Sequence, residues 1–208
     1  MTIQLPKFIL LIWVVTACAQ SGKPDKKAIP DCEDCELMFE GMPKSLMWST
    51  QIADEKEPGE LMIVSGTIFK SDGKTPAPGV ILYVYHTDAK GIYSPASGQK
   101  DAKRHGHLRG WMKSDEQGRY QFTSIRPASY PSRNAPQHIH PIIQESESSI
   151  YWIDEYLFDD DPLLTQDERA RQQKRGGPGI IHLVKNNRGV WIGGRDIVLG
   201  MNIPNYRP

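Results

Sequence analysis

Short apolar runs separated by turn residues constrain this chain more than any other feature. Leu61 to Phe69 (LMIVSGTIF) is apolar and rich in β-branched residues. Val80 to His86 (VILYVYH) is apolar on both alternating faces, with Val80, Leu82 and Val84 on one and Ile81, Tyr83 and Tyr85 on the other. Between them SDGKTPAPG, Ser71 to Gly79, is turn chemistry, sharpest at Asp72-Gly73. Gly110 to Lys113, the turn SDEQG (Ser114 to Gly118) and Arg119 to Ser124 predict a hairpin. His138 to Ile143, Ser149 to Phe158, Ile180 to Lys185 and Asp196 to Leu199 predict further strands. The 16 prolines and 18 glycines are spread along the chain, which suits strands and turns better than a helical bundle. One helix is predicted at TQDERARQQK, where Thr165 and Glu168 form a capping-box pattern and Gly176-Gly177-Pro178 is the stop. The expected fold is mainly β: an antiparallel β-sandwich of about seven or eight strands, with long loops at one end and one short helix.

The N-terminus is expected to be a targeting segment. Lys7 precedes Phe8 to Val15 (FILLIWVV), an apolar run too short to span a bilayer and suited to the core of a signal peptide. Val15-Thr16-Ala17-Cys18 is similar to a bacterial lipobox, whose cysteine is acylated and becomes the new N-terminus; an ordinary signal peptide cut after Ala17 or Ala19 is the alternative. The expected organisation is a signal peptide at 1–17, a lipidated N-terminus, tether and C-x-x-C segment at 18–36, and a sandwich domain at 37–208. The expected location is the cell envelope, with membrane contact only through the lipid on Cys18. Cys32 and Cys35, in DCEDCE, suit a redox pair, half of a zinc site or a tight disulfide. No second C-x-x-C exists and no βαβ pattern surrounds this one, so a small structural disulfide is preferred for an exported protein. Basic and acidic residues balance at 25 each, so bulk charge selects neither nucleic acid nor an anionic membrane surface as a partner.

Chemistry concentrates at Tyr130 to His140, YPSRNAPQHIH. In a strand, side chains at i and i+2 share a face, so His138 and His140 can close on one metal ion while Ile139 faces a core. A tyrosine joining them as phenolate supplies a hard anionic oxygen, suited to Fe(III) rather than Zn(II) or Cu(I). The plainer alternative is a polar strand face. A second H-x-H, His105 and His107 in HGHLRG, reads as polar residues lining the site mouth, with a separate zinc or copper site as the lesser alternative. His86 and His182 read as structural.

The ordered series VYHTDAKGIY, LRGWMKSDEQGRYQFTSIRPASYP, HIH and EYLFDDDP resembles the intradiol ring-cleavage dioxygenases, the catechol and protocatechuate dioxygenase family. The likeness runs from Leu61 to about Pro162. It implies one non-haem Fe(III) held by Tyr93, from D-A-K-G-I-Y, Tyr130, from I-R-P-x-x-Y-P, and His138 and His140. It implies a small-molecule catechol and O2 as partners, and Tyr130 as the axial ligand that leaves the metal and accepts a substrate proton. A homo-oligomer is compatible with it. No diffusible redox cofactor is implied, since no phosphate-cradling glycine-rich motif follows a strand. Arg109-Gly110 matches a family motif of structural role. Two positions depart from the pattern. The family's arginine three residues before the first histidine is Ala135, and its glutamine before the L-Y-F segment is Glu155. A carboxylate at 155 repels an anionic diolate unless paired or protonated. The Tyr130-to-His138 loop is also short, and Arg133 is the candidate to replace the missing guanidinium. The resemblance therefore implies an Fe(III) intradiol dioxygenase acting on a catecholic aromatic. A lipid-anchored binding module of the same fold with weak or no turnover is the alternative, and a Zn or Cu protein using the histidines alone is a third reading.

Overall fold

The computed structural model describes Met1, Cys32 and residues 34–96, 104–146 and 149–206. The leader, Cys18 and the tether lie outside the described residues. The chain runs through one turn of 3-10 helix (Cys35–Phe39) and then β1 (Ser49–Gln51), β2 (Leu61–Phe69), β3 (Ile81–Tyr85), β4 (Arg109–Lys113), β5 (Arg119–Ile125) and β6 (His138–Ser146). It continues through β7 (Ser149–Trp152), β8 (Tyr156–Phe158), α1 (Gln166–Ala170), β9 (Ile180–Ile181), β10 (Val184–Lys185), β11 (Trp191–Gly194) and β12 (Ile197–Val198).

Two six-stranded sheets result. One has the order β1-β5-β2-β11-β10, with β12 also on β2; the other has the order β4-β3-β6-β8-β9, with β7 also on β6. The central pairs β2–β5, β3–β4 and β3–β6 are antiparallel. Parallel pairs stand nearer the edges: β1–β5, β2–β11, β2–β12 and β8–β9. The sandwich is therefore mixed, because short segments beyond the central strands join them by long returns rather than by hairpins. Alternate residues of both sheets meet between them: Met62, Val64 and Phe122 from one, and Leu82, Val84, Ile139, Ile143 and Phe158 from the other. Each such side chain contributes about 1.5–3 kcal/mol on burial.

Four local expectations change. The SDEQG turn forms, with the Asp115 carboxylate accepting from the backbone N–H of Gln117 (3.0 Å) and Arg119 (2.8 Å). Yet β4 pairs with β3 and β5 with β2, so the turn carries the chain from one sheet to the other and is not a hairpin. Ser149 to Phe158 is two strands, β7 and β8, interrupted at Ile153-Asp154-Glu155. Ile180 to Lys185 likewise divides into β9 and β10, and β1 and β11 are strands the sequence pattern did not signal. The helix starts where expected, Thr165 Oγ1 accepting from Glu168 N at 3.2 Å, but ends at Ala170. A few residues on, Lys174 turns left-handed (φ 55°), and its N–H is held by the buried carboxylate of Asp154 at 2.7 Å.

Candidate metal centre

β6 begins with His138 and His140 on one face while Ile139 is fully buried in the core. The His138 Nδ1–H donates to the carbonyl of Pro136 (2.7 Å), which turns Nε2 toward the site. That nitrogen lies 3.1 Å from the hydroxyl of Tyr130, and His140 Nε2 lies 3.5 Å from the same oxygen. The two imidazoles stand edge to face, with centroids 4.6 Å apart.

Two loops bring the tyrosines in. After β3, the Asp88 carboxylate caps the turn by accepting from Lys90 N (2.8 Å) and Ile92 N (3.1 Å). Gly91 follows at φ 77°, where a Cβ would stand 2.0 Å from the carbonyl oxygen of Ser129. Only glycine permits that approach. Thr87 Oγ1 donates to Ala128 O (2.7 Å) and Ala128 N donates to Asp88 O (3.1 Å), joining the two loops. The result is a 2.8 Å contact between the hydroxyls of Tyr93 and Tyr130. Arg126 and the DDD segment brace the far side: Arg126 binds Asp160 with two bonds (2.8 and 2.7 Å), and the buried Asp161 accepts from Gln137 N.

Tyr93, Tyr130, His138 and His140 thus converge on one point. Burial, together with the Tyr130 hydroxyl beside it, pushes the Tyr93 phenol well above its usual range. Burial and the neighbouring His138 hold His140 well below the usual imidazole range, hence neutral. Imidazole nitrogens and phenols that a cation would deprotonate are a donor set that fits a hard, highly charged ion.

Glu155 is the functional neighbour whose role the sequence left open. His138 pairs across the strands with Leu157 and Ile139 with Tyr156, and continuing that register puts Glu155 beside His140. Its Oε1 lies 3.4 Å from His140 Nδ1. The His138, His140 and Glu155 donors lie within 4.8 Å of one another, a grouping that could hold an ion by itself. Glu155 faces the Nδ1 edge of His140, however, whereas the phenol oxygen faces Nε2, so the carboxylate is better set to orient the imidazole than to share its ion. Burial raises the Glu155 carboxyl, against the opposing pull of His138.

A cleft of ≈ 370 Å³ opens on this cluster, lined among others by Tyr130, Ala135, Pro136, His138, Glu155 and Leu157. Arg133 lines it too, its guanidinium 5.7 Å from the Tyr130 ring centroid. Glu168, Arg171 and Gln172, at and after α1, form the rim; no sequence motif marked them, because the wall exists only once the fold brings α1 to the cleft. The second H-x-H is not a polar mouth. His105 is buried and hydrogen bonded to Tyr83 (2.9 Å), and the half-buried His107 binds Glu57 (2.8 Å) and the carbonyl of Ser94 (3.1 Å). His86 is buried, bridging Thr87 O and Ser124 Oγ, while His182 is exposed and paired with Asp159. Cys32 and Cys35 are joined as a disulfide.

A mixed β-sandwich with phenol and imidazole donors gathered at one end defines a class of metal-site scaffold. A family model described as dioxygenase matches residues 44–176, and the chain belongs to the intradiol dioxygenase family. It is 31% identical over 134 residues to a catechol 1,2-dioxygenase of Acinetobacter baylyi, covering 55% of this chain and 42% of that one. It is 30% identical over 116 residues to the protocatechuate 3,4-dioxygenase beta chain of Burkholderia cepacia, covering 52% and 49%. The match therefore spans less than half of either relative. Among solved structures, the fold is shared with catechol 1,2-dioxygenase from Acinetobacter sp. ADP1 (TM-score 0.59, 23% identity, 78% of this chain and 62% of that one). It is also shared with the dioxygenase domain of a carbohydrate-binding fusion protein from a Streptomyces (TM-score 0.57, 22% identity, 76% and 91%).

Proposed function

We propose that this protein is a non-haem Fe(III) intradiol dioxygenase that opens a catecholic ring with O2, and that Tyr93, Tyr130, His138 and His140 hold the iron. The observation that carries the reading is the meeting of Tyr93, His138 and His140 on the single hydroxyl of Tyr130, at 2.8, 3.1 and 3.5 Å. Bound ferric iron would supply a Lewis acid and a template for the two catechol oxygens. The overall reaction converts a catechol and O2 into a ring-opened dicarboxylic acid containing both oxygen atoms, with no external reductant.

The chain's own groups have distinct tasks in this proposal. Held as a phenolate by bound iron, the Tyr130 oxygen, half-buried and facing the cleft, would accept a proton from the incoming diol. The Pro136 carbonyl holds His138 in one tautomer, and Glu155 does the same for His140. Pro136, Ala135 and Leu157 offer apolar surface to a flat ring and displace water from it. Arg133, above the Tyr130 ring, supplies positive charge against the diolate.

Protein loaded with iron should show a broad visible phenolate-to-iron band that changes on adding catechol, together with oxygen uptake. Colourless protein that takes up no iron would end the proposal. A second reading, a binding module without turnover, is favoured by Ala135 and Glu155 standing where the family has arginine and glutamine; catechol that perturbs the colour without oxygen uptake would select it. We also infer an exported, lipid-anchored form from the leader pattern and Cys18, to be tested by mass spectrometry of the N-terminal peptide.

A further inference from the structure

We propose that His105-Gly106-His107 is a positioning motif that fixes two of the proposed iron ligands, His140 and Tyr93, rather than a metal site of its own. The inference rests on the ligand set proposed above. Tyr85 is the cross-strand partner of His140, and their rings stack at 4.7 Å with planes 16° apart. His105 also stacks on Tyr85, at 3.6 Å and 5°. Two near-parallel rings cannot share one face of Tyr85 at those distances without overlapping. His105 and His140 therefore lie on opposite faces, and the order is His105, Tyr85, His140. The outer ring of this stack is itself anchored, because His105 Nδ1 is hydrogen bonded to the hydroxyl of fully buried Tyr83 at 2.9 Å. Tyr83 in turn packs on Trp111 at 5.0 Å, and the Trp111 indole N–H donates to Met38 O.

The other half of the motif acts on Tyr93. Gly106 has φ 63°, and a Cβ there would stand 3.1 Å from the Tyr93 Cα. The loop thus lies directly against the backbone of the ligand. His107 secures the contact: its backbone N–H donates to Ser94 O (3.0 Å), its Nδ1–H donates to the same carbonyl (3.1 Å), and its Nε2 binds Glu57 (2.8 Å). The two imidazoles therefore have separate partners, and each partner leads to a different ligand. A histidine fits position 105 because it offers a flat face to Tyr85 and an edge nitrogen to Tyr83. Phenylalanine would supply only the face and asparagine only the edge. The stack fixes the plane of the His140 ring, and the contacts of Nε2 with Tyr130 and of Nδ1 with Glu155 decide which edge faces each way.

The test is ferric-ion affinity by chelator competition on the full chain, with the visible band, thermal midpoint and imidazole NMR of the metal-free protein. His105→Ala is expected to weaken iron binding ~10–100-fold, to shift the band and to broaden the His140 ring signals. His105→Phe, which restores the face, is expected to recover most of the affinity and a sharp His140 signal; Tyr83→Phe, which removes the hydroxyl that anchors His105 and also meets Arg109, is expected to fall between. Unchanged affinity and band in His105→Ala would overturn the inference. So would a loss that His105→Phe fails to recover at wild-type thermal stability. If His105→Ala does not fold, Tyr83→Phe decides by the same readings. If the wild-type protein binds no ferric ion, the ligand reading fails by itself. The His140 signal in the metal-free variants then decides the stack, broadening supporting it and no change overturning it.

Discussion

The two sheets of the sandwich have different outer faces. The sheet centred on β2 and β5 packs one face on the core and presents Ile63, Ser65, Thr67, Gln121 and Thr123 half-buried on the other. The sheet centred on β3 and β6 is covered on both faces. Its outer side carries a second cluster, in which Tyr83, Ile142 and Ile150 pack against Cys35 and Met38 of the N-terminal 3-10 turn. The burial patterns reflect this: burial alternates along Leu61 to Val64 of β2 and Arg119 to Ser124 of β5, while Leu82, Tyr83 and Val84 of β3 are buried in succession. The candidate site belongs to the doubly covered sheet. On that covered outer face Tyr85 and His105 hold His140 from the side, while the N-terminal end of β6 meets the cleft. The singly covered sheet supplies the rear wall of the core and, through the loop after β5, Tyr130.

Several measurements would break or sharpen this contrast. Truncating Tyr83 to alanine empties the outer cluster and should cost about 3–5 kcal/mol in denaturant unfolding. Thr123→Ala, on the outer face of the other sheet, should cost less than about 1 kcal/mol. Equal costs would mean the two outer faces do not differ. A pH titration of stability comes next. His86 joins the sheets by accepting from Ser124 Oγ, and burial pulls its imidazole from 6.5 down to about 4. The folded protein then holds His86 neutral where the unfolded chain would protonate it. Stability is therefore complete above pH 6.5 and falls as pH drops toward 4, by up to about 3 kcal/mol from this group. A flat profile across that window in wild-type protein, or the same slope in His86→Gln, would contradict the assignment.

At the cleft, Tyr130→Phe removes the oxygen on which the other donors meet; oxygen uptake with catechol should fall by about 100-fold or more, with a shifted visible band. Unaltered turnover and colour would show that Tyr130 is not a ligand. Glu155→Gln should have the smaller effect of the two cleft substitutions, weakening iron binding about 10-fold by loosening His140. Tighter binding would mean the carboxylate opposes the site rather than orienting a ligand.

Much of the sandwich was legible because burial leaves a period in the chain. Val80 to His86 and His138 to His140 carried their faces in their spacing, and Leu61 to Phe69 and Arg119 to Ser124 were legible as strand segments next to the turn residues Asp72-Gly73 and Gly118. Short edge strands such as Ser49–Gln51 and Trp191–Gly194 carried no such signal, since three or four residues are too few for a period and their pairing is made by distant partners. The assignment of β4 and β5 to different sheets escaped for a related reason: a tight turn fixes the reversal of the chain but not which strand each arm joins.

For the site, the i, i+2 spacing of His138 and His140 determined a shared face, and the ordered motifs named Tyr93 and Tyr130 as companions. Whether four side chains from β6 and two loops could meet was decided by tertiary contacts, above all Gly91 against Ser129. Tertiary structure alone also set Glu155 beside His140 and buried His105 against Tyr85. Local spacing is written in the backbone period of a single segment. Which surfaces of separate segments touch depends on register and sheet pairing, and those are settled only when the whole core closes.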